Sequence, residues 1–286
     1  ITVDGCTNLK IIGLTIDYDP LPYTQGRIVK LSEDNTIHEI ELFDGYPGAD
    51  KVLDSKYEIF RPDTRTLRFG SYHSFKHKKL GPRRIEVTRG GRYMGEKVGD
   101  IIAIGISHAP GGSIPNAVYT AKSGNVTFQD LTLYASNCFG FLENDCKSTH
   151  YLRCTIDRRP AREDFKRRET PRIRSLNADA FHSKHAIVGP TIESCTAKFM
   201  GDDCTNICGD YHMVMACNGS KLRVVAKRHL NIQPGDPLEV VSYTGARLPD
   251  AKAVRVSSPI GRMNAKELEF LSKQRMHAPF KQGKLG

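Results

Sequence analysis

Four segments of the chain align without a gap: NLKIIGLTIDY from Asn8, NVTFQDLTLYA from Asn125, STHYLRCTIDR from Ser148 and GPTIESCTAKF from Gly189. Each has threonine at its eighth position, as Thr15, Thr132, Thr155 and Thr196, preceded by Leu14, Leu131, Cys154 or Cys195. Small or apolar side chains therefore recur at the same inward-looking places. Self-similarity of this kind marks a repeat architecture, in which each unit buries its apolar face on the next. The second and third copies start 23 residues apart. That length suits one turn of a right-handed parallel β-helix with about three short strands per coil. The third and fourth start 41 apart, which leaves room for an insertion, DRRPAREDFKRRETPRIR, from Asp157 to Arg174. The first and second start 117 apart, so a whole module interrupts the repeat.

The expected fold is all-β: a right-handed parallel β-helix (a solenoid) with small β-barrel modules inserted. Residues 1–18 supply a β-helix coil, and 19–105 an inserted barrel-like module of short runs such as GRIVKL, IHEIEL, KYEIF, TLRFG, RIEV and DIIAI. Residues 106–220 return to the β-helix and carry the active site. Residues 221–286 hold a second small barrel, with strand-like KLRVVAK, PLEVVSYTG and AVRVSS, then a helical turn and a flexible tail. The insertion carries eight Lys or Arg against three acidic residues between 158 and 174. Burying so many charges is expensive, so a loop over or beside the cleft is expected there. Such a loop favours anionic sugars if it meets substrate.

The net charge of +10 favours anionic partners such as acidic polysaccharide, nucleic acid or a membrane surface. No RNA- or DNA-binding signature accompanies it, and no apolar run of about 18 residues spans a bilayer. Nothing specifies an oligomer. Ile1 lies inside a strand-like run, so the true N-terminus, with any signal peptide, is expected upstream. The eight cysteines lack the dense spacing of a disulfide scaffold. Cys204, Cys208, His212 and Cys217 invite a zinc reading, but zinc ligands usually come from tight turns and this segment reads as strand. Buried free thiols fit better.

The chemistry concentrates in NADAFHSKHAIVGPTIESCTAKFMGDDCTNI, residues 177–207. Asp179 and Asp202 are 23 residues apart, one repeat, which places them as neighbours on coils about 4.8 Å apart. Asp203 follows directly. Three close carboxylates repel one another unless a metal, basic groups or shared protons offset the repulsion. A solvated acidic edge, a calcium site and an acid/base pair are the three readings. Glycoside hydrolysis needs one carboxyl to protonate the leaving oxygen and another to activate water, and the acid/base reading is the one adopted. Polar groups for a sugar gather nearby: Glu143 and Asn144 one coil earlier, then Arg174, Asn177, His182, Lys184, Asn206 and Tyr211. Phe139, Phe181 and Tyr211 are candidate aromatic faces.

At these residues the chain resembles the pectin-lyase-like superfamily of β-helical carbohydrate enzymes. NAD…GDD resembles the N-x-D and D-D motifs of the polygalacturonases, glycoside hydrolase family 28, whose downstream G-H-G and R-I-K motifs are absent here. IDYDPLPYTQGRIV (16–29), ADAFHS (178–183) and GDDCTNICGDY (201–211) resemble more closely glycoside hydrolase family 110, the α-1,3-galactosidases. The resemblance implies an inverting, exo-acting hydrolase, without cofactor or metal, that removes terminal α-linked galactose from an oligo- or polysaccharide in a secreted or periplasmic setting. Asp202 would be the general acid, with Asp179 and Asp203 activating water. The strongly basic insertion is a departure that points toward an anionic glycan. The alternatives are a β-helical polysaccharide lyase acting on uronic acids and a non-catalytic glycan-binding β-helix protein.

Overall fold

The computed structural model describes residues 1–72, 74–91, 93, 95–106, 115–164, 166, 168–209, 211–225, 230, 232–242, 244–257, 264–266 and 268–269; of residues 54–56, 69–72 and 74 it describes the backbone. These residues are nearly all in strands, turns and extended chain. Three short strands open the chain: β1 (Thr2–Asp4), β2 (Lys10–Ile12) and β3 (Thr15–Ile16). Seven longer ones follow: β4 (Tyr23–Leu31), β5 (Ile37–Leu42), β6 (Val52–Phe60), β7 (Leu67–Tyr72), β8 (Ser74–Gly81), β9 (Arg84–Gly90) and β10 (Ile101–Ile106). The short triplets then resume with β11 (Val118–Ala121), β12 (Thr127–Gln129) and β13 (Thr132–Leu133), followed by β14 (Phe141–Asn144), β15 (His150–Leu152) and β16 (Thr155–Ile156). After one helical turn, α1 (Ala161–Asp164), come β17 (Phe181–Lys184), β18 (Thr191–Glu193), β19 (Thr196–Ala197) and β20 (Thr205–Cys208).

The triplets sort into three parallel sheets. The first runs β1-β11-β14-β17-β20, the second β2-β12-β15-β18 and the third β3-β13-β16-β19. The four threonines lie side by side in the third: Thr15 pairs with Thr132, Thr132 with Thr155, and Thr155 with Thr196. Like packs on like inside. The Phe141 and Phe181 rings stack 5.3 Å apart at 2°, and Phe128 and Tyr151 stack 5.7 Å apart at 10°. These rings sit in a core with Val118, Leu131, Leu133, Cys154 and Ile156. The corners between sheets are left-handed. Gly13, Asp130, Arg153 and Ser194, all at the sixth position of the aligned segments, have φ between 52° and 71°. Glycine and aspartate tolerate this conformation, whereas Arg153 and Ser194 take it at a cost that the flanking ladders must offset.

Strands β4–β10 form one antiparallel sheet in the order β7-β6-β10-β4-β5-β9-β8. It curls until Tyr57 of β6 packs edge-on against Phe75 of β8, ring centroids 4.9 Å apart. Ile28, Ile40, Tyr57, Ile85, Ile102 and Ile104 fill its interior. A further cluster joins this sheet to the parallel repeats: Leu21, Tyr23, Phe43, Tyr46, Ile101 and Ala103 pack with Ala135 and with Ile173 of the insertion.

The insertion differs from the loop over or beside the cleft expected of it, because part of it is core. Arg168, Arg172 and Arg174 are buried, at 7%, 1% and 2% exposure. They can be buried because carboxylates are buried with them. Arg172 grips Asp17 with two hydrogen bonds, of 2.7 and 2.8 Å, and reaches Asp164 at 3.1 Å. Arg168 shares Asp164, and Arg159 joins Asp17 to Glu163. Backbone is tied down too: Gln25 of β4 accepts from Ile173 N–H and donates to the Pro171 carbonyl, and Tyr46 donates to the Thr170 carbonyl. The segment is a charged plug between the antiparallel sheet and the first and second repeats. Arg167 lies outside the described residues.

The described chain falls into two compact units, Ile1–Cys208 and Gly209–Gly286. The parallel ladders stop at Cys208, short of residue 220. Beyond it β21 (Met213–Asn218) and β22 (Lys221–Val225) form an antiparallel hairpin, and β23 (Pro237–Leu238) pairs with β24 (Ala251–Lys252). These two pairs make no closed barrel among the described residues. Leu268 N–H bonds the Asn264 carbonyl, as in a helical turn. The tail from 270 lies outside the described residues. Among the described residues no helix is long and apolar enough to cross a membrane.

Candidate active site

The site grows from the ladder between β17 and β20. Two bent segments lead into that ladder, Asn177–Ala180 and Gly201–Cys204. Ala180 N–H bonds the Asp203 carbonyl at 2.9 Å and Phe181 N–H the Cys204 carbonyl at 3.2 Å. Phe181 then pairs with Thr205, 24 residues on. The ladder neighbour of Asp179 is therefore Asp203, and Asp202 sits one place before it. This corrects the spacing of 23. The extra residue lies in the corner after β17. There the chain takes three steps from His185 to Val188, where the preceding repeat takes two from Asp145 to Lys147, its bridge partner.

The three carboxylates still converge. Asp179, Asp202 and Asp203 each offer an oxygen within 4.8 Å of the others. Asp179 is buried at 4% exposure, and the other two are exposed. The same closeness is compatible with a hard cation, the one such grouping among the described residues. His182 Nδ1 lies 2.6 Å from Asp179 Oδ2, and a neutral ring that donates through this nitrogen has Nε2 as acceptor. The ring packs on Phe139 with centroids 4.3 Å apart and points Nε2 at Cys208 Sγ, 3.8 Å away. One ladder rung on, Asn206 repeats the arrangement and donates to Asp203 Oδ2 at 3.3 Å. Burial pushes the neighbouring Cys138 thiol up, and the Asp179 charge adds to this.

Behind the trio stands a brace that includes Glu58, on the antiparallel sheet. Arg174 donates to Glu58 Oε2 at 2.8 Å and lies over the Tyr23 ring, 4.8 Å from its centroid. Gly201, just before Asp202, touches this brace. A β-carbon there would fall 2.8 Å from the Asn177 carbonyl oxygen and 2.9 Å from Glu58 Oε1. Asn177 itself donates to the Pro22 carbonyl at 2.9 Å.

The remaining residues expected at the site divide. Asn144 and Lys184 lie on the same outward face as His182, in register with each other and with Cys208. Asn144 Nδ2 donates to Asp145, and its Oδ1 lies 3.2 Å from His185 Nδ1. Glu143 is a correction. It occupies the opposite parity and points into the interior, 1% exposed, where the Ser183 hydroxyl donates at 2.5 Å and the Tyr151 hydroxyl at 3.3 Å. Phe181 is core for the same reason. Arg174 is corrected too: at 2% exposure and paired with Glu58, it positions the loop and does not face solvent. Tyr211 belongs to the second unit and is 92% exposed. Cys204 and Cys217 are exposed, unlike the buried thiols expected, while Cys146 and Cys154 are buried. The sequence reading missed Glu58 and Gly201, which meet the site only through the tertiary fold. Cys208 was visible in ICGD, with no sign that a histidine 26 residues earlier would face it.

Comparison with protein-family models and with curated protein sequences yields no match to this chain.

Proposed function

We propose that the three parallel sheets are the faces of a right-handed parallel β-helix and that the carboxylates on its first face make the protein a glycoside hydrolase. The observation that carries this reading is the convergence of Asp179, Asp202 and Asp203 at the junction of the repeats with the inserted sheet. One carboxyl donates a proton to the leaving oxygen while another draws a proton from water. Asp202, exposed on the bend after Gly201, is the proposed acid. Asp179, fixed by His182, and Asp203, held by Asn206, are the proposed bases. The substrate class is terminal α-linked galactose or a related sugar, following the resemblance of ADAFHS and GDDCTNICGDY to family 110. The burial and pairing of Arg168, Arg172 and Arg174 remove the insertion's strongest case for an anionic glycan, so a neutral sugar is favoured.

Inversion requires the acid and base carboxyls to stand about 6.5–9.5 Å apart. From nearest oxygens within 4.8 Å, Asp202 must turn outward from Asp179 to admit water. A panel of chromogenic α- and β-glycosides tests the activity, and NMR of the first-formed product tests the stereochemistry. Release of an inverted sugar from an α-galactoside is expected. Failure to cleave any glycoside, with an unsaturated, ultraviolet-absorbing product from a uronic-acid polymer, would replace the hydrolase by a lyase.

A further inference from the structure

We propose that Asp179, His182 and Cys208 form an activated-thiol site, and that Cys208 is a modification site for small disulfides beside the carboxylate trio. The arrangement is a nucleophile, a base within reach and a third group orienting the base. Cys208 closes β20 on the outward face of the first sheet, half-buried. His182 is the diagonal neighbour on β17, and its Nε2 lies 3.8 Å from Cys208 Sγ, within hydrogen-bond reach for sulfur. In the neutral ring whose Nδ1–H donates to the buried Asp179, Nε2 is the acceptor, and the thiol hydrogen is the donor that suits it. Lys184 is the direct register partner of Cys208 and adds positive charge on the same face. Phe139 packs on the imidazole at a tilt of 36°.

The step is thiol–disulfide exchange. The Cys208 S–H proton passes to His182 Nε2 while the sulfur attacks one sulfur of a small disulfide. A new S–S bond forms, the old one breaks, and the departing thiolate takes the proton from His182 and leaves as thiol. Cys208 is oxidised and the leaving half reduced, so electrons and protons balance with no other reactant. The other thiols provide contrast. Cys204 and Cys217 are exposed, Cys204 with the Thr205 hydroxyl against its sulfur and Cys217 with the Gly219 carbonyl. Cys146 and Cys154 are buried, and burial pushes Cys154 up to about 11. A cap on Cys208 would also take the thiol donor away from His182 Nε2. This one consequence, loss of turnover on capping, rests on the hydrolase reading.

The test needs no sugar substrate. The full chain is pulsed with iodoacetamide, quenched in denaturant, and each cysteine is quantified by mass spectrometry. Cys208 should alkylate at least about tenfold faster than the more exposed Cys204 and Cys217. His182→Gln and, separately, Asp179→Asn should bring it down to their rate. Continued protection of Cys146 and Cys154 reports that each variant is folded. Oxidised glutathione should place its first mixed disulfide on Cys208. A wild-type Cys208 no faster than Cys204 and Cys217 overturns the proposal, as does an unchanged rate in folded His182→Gln. A positive result with no glycoside cleaved would leave the thiol site standing and remove the hydrolase.

Discussion

At the scale of residues, the trio divides by surroundings. Asp179 is buried with a histidine on its carboxylate, whereas Asp202 is exposed on the loop after Gly201. Replacing Asp202 or Asp179 by Asn keeps the shape and removes the proton chemistry. Each change should lower turnover of a cleaved glycoside at least about a hundredfold while the protein stays folded. Turnover near wild type in both variants would remove the carboxylates from catalysis. Gly201 predicts a stability effect of another origin. A methyl there meets a backbone oxygen at 2.8 Å and Glu58 Oε1 at 2.9 Å, and the backbone oxygen cannot swing aside. Gly201→Ala should therefore cost about 1–3 kcal/mol, read from urea unfolding. A neutral result would mean that the loop relaxes away from the brace. Residue identities of this kind were only half legible. Spacing found the three aspartates because carboxylates recur at the repeat length. It mis-set their register by one, since a single extra residue in the His185–Val188 corner leaves no compositional mark. Glu143 has the inward parity of its strand and so meets Tyr151 and Ser183, which adjacency in sequence to Asn144 does not reveal.

At the scale of elements, the insertion is the lesson. Its composition reads as a loop, because charge is usually solvated and its basic residues outnumber its acidic ones. Asp164 is a partner within the segment, but the others lie 155 residues away at Asp17 and 116 away at Glu58. Long-range pairing of this sort has no periodic signal, whereas the threonine ladder, set by strand period and repeat length, was readable in full. The β8 strand escaped for the opposite reason. FKHKKLG is polar and charged, as edge strands often are, and it does not alternate cleanly. The buried network makes an acid-stability prediction. Burial alone would raise the Asp17 carboxyl, but the hydrogen bonds and charge of Arg172, with Tyr18 N–H and Arg159, outweigh it and hold the carboxyl below its ordinary value. A depressed folded-state value means that the stabilisation is complete above the ordinary carboxylate range and is lost as pH falls through the folded value. Wild type should lose stability below about pH 4, and Asp17→Asn should show less of that loss. An identical acid limb in both would exclude Asp17 as a source. Arg172→Met should cost about 3–5 kcal/mol at neutral pH, because Asp164 would stay buried with only Arg168 as a charged partner. Less than about 1 kcal/mol, the worth of an exposed pair, would show that the plug is solvated in solution.

At the scale of the whole first unit, stacking sets a gradient. In a repeat stack each unit is stabilised by its neighbours, so inner strands should open less often than end ones. Strand β14 lies between β11 and β17, while β20 is the edge of its sheet among the described pairings. An edge strand in a parallel ladder leaves alternate amides without a ladder partner. Its side chains add little protection, for Thr205 is exposed and Ile207 is 61% exposed. Yet this strand and the loop before it carry Asp202, Asp203, Asn206 and Cys208, half of the proposed site. The other half, Asp179 and His182, stands on the inner and better buried β17. The site thus joins a rigid bank to a looser one, and a ligand that bridges them should stabilise the looser bank by mass action. Amide hydrogen exchange followed by mass spectrometry reads this directly. Peptides spanning Phe141–Asn144 should exchange slowest, those spanning Phe181–Lys184 next and those spanning Gly201–Cys208 fastest. Saturation with an α-galactoside that the Asp202→Asn variant binds without cleaving should slow exchange in Gly201–Cys208 and leave Phe141–Asn144 unchanged. Equal protection of the three peptides in the free protein would contradict the stacked gradient. Slowing spread evenly over the unit would place the ligand elsewhere than on the two banks.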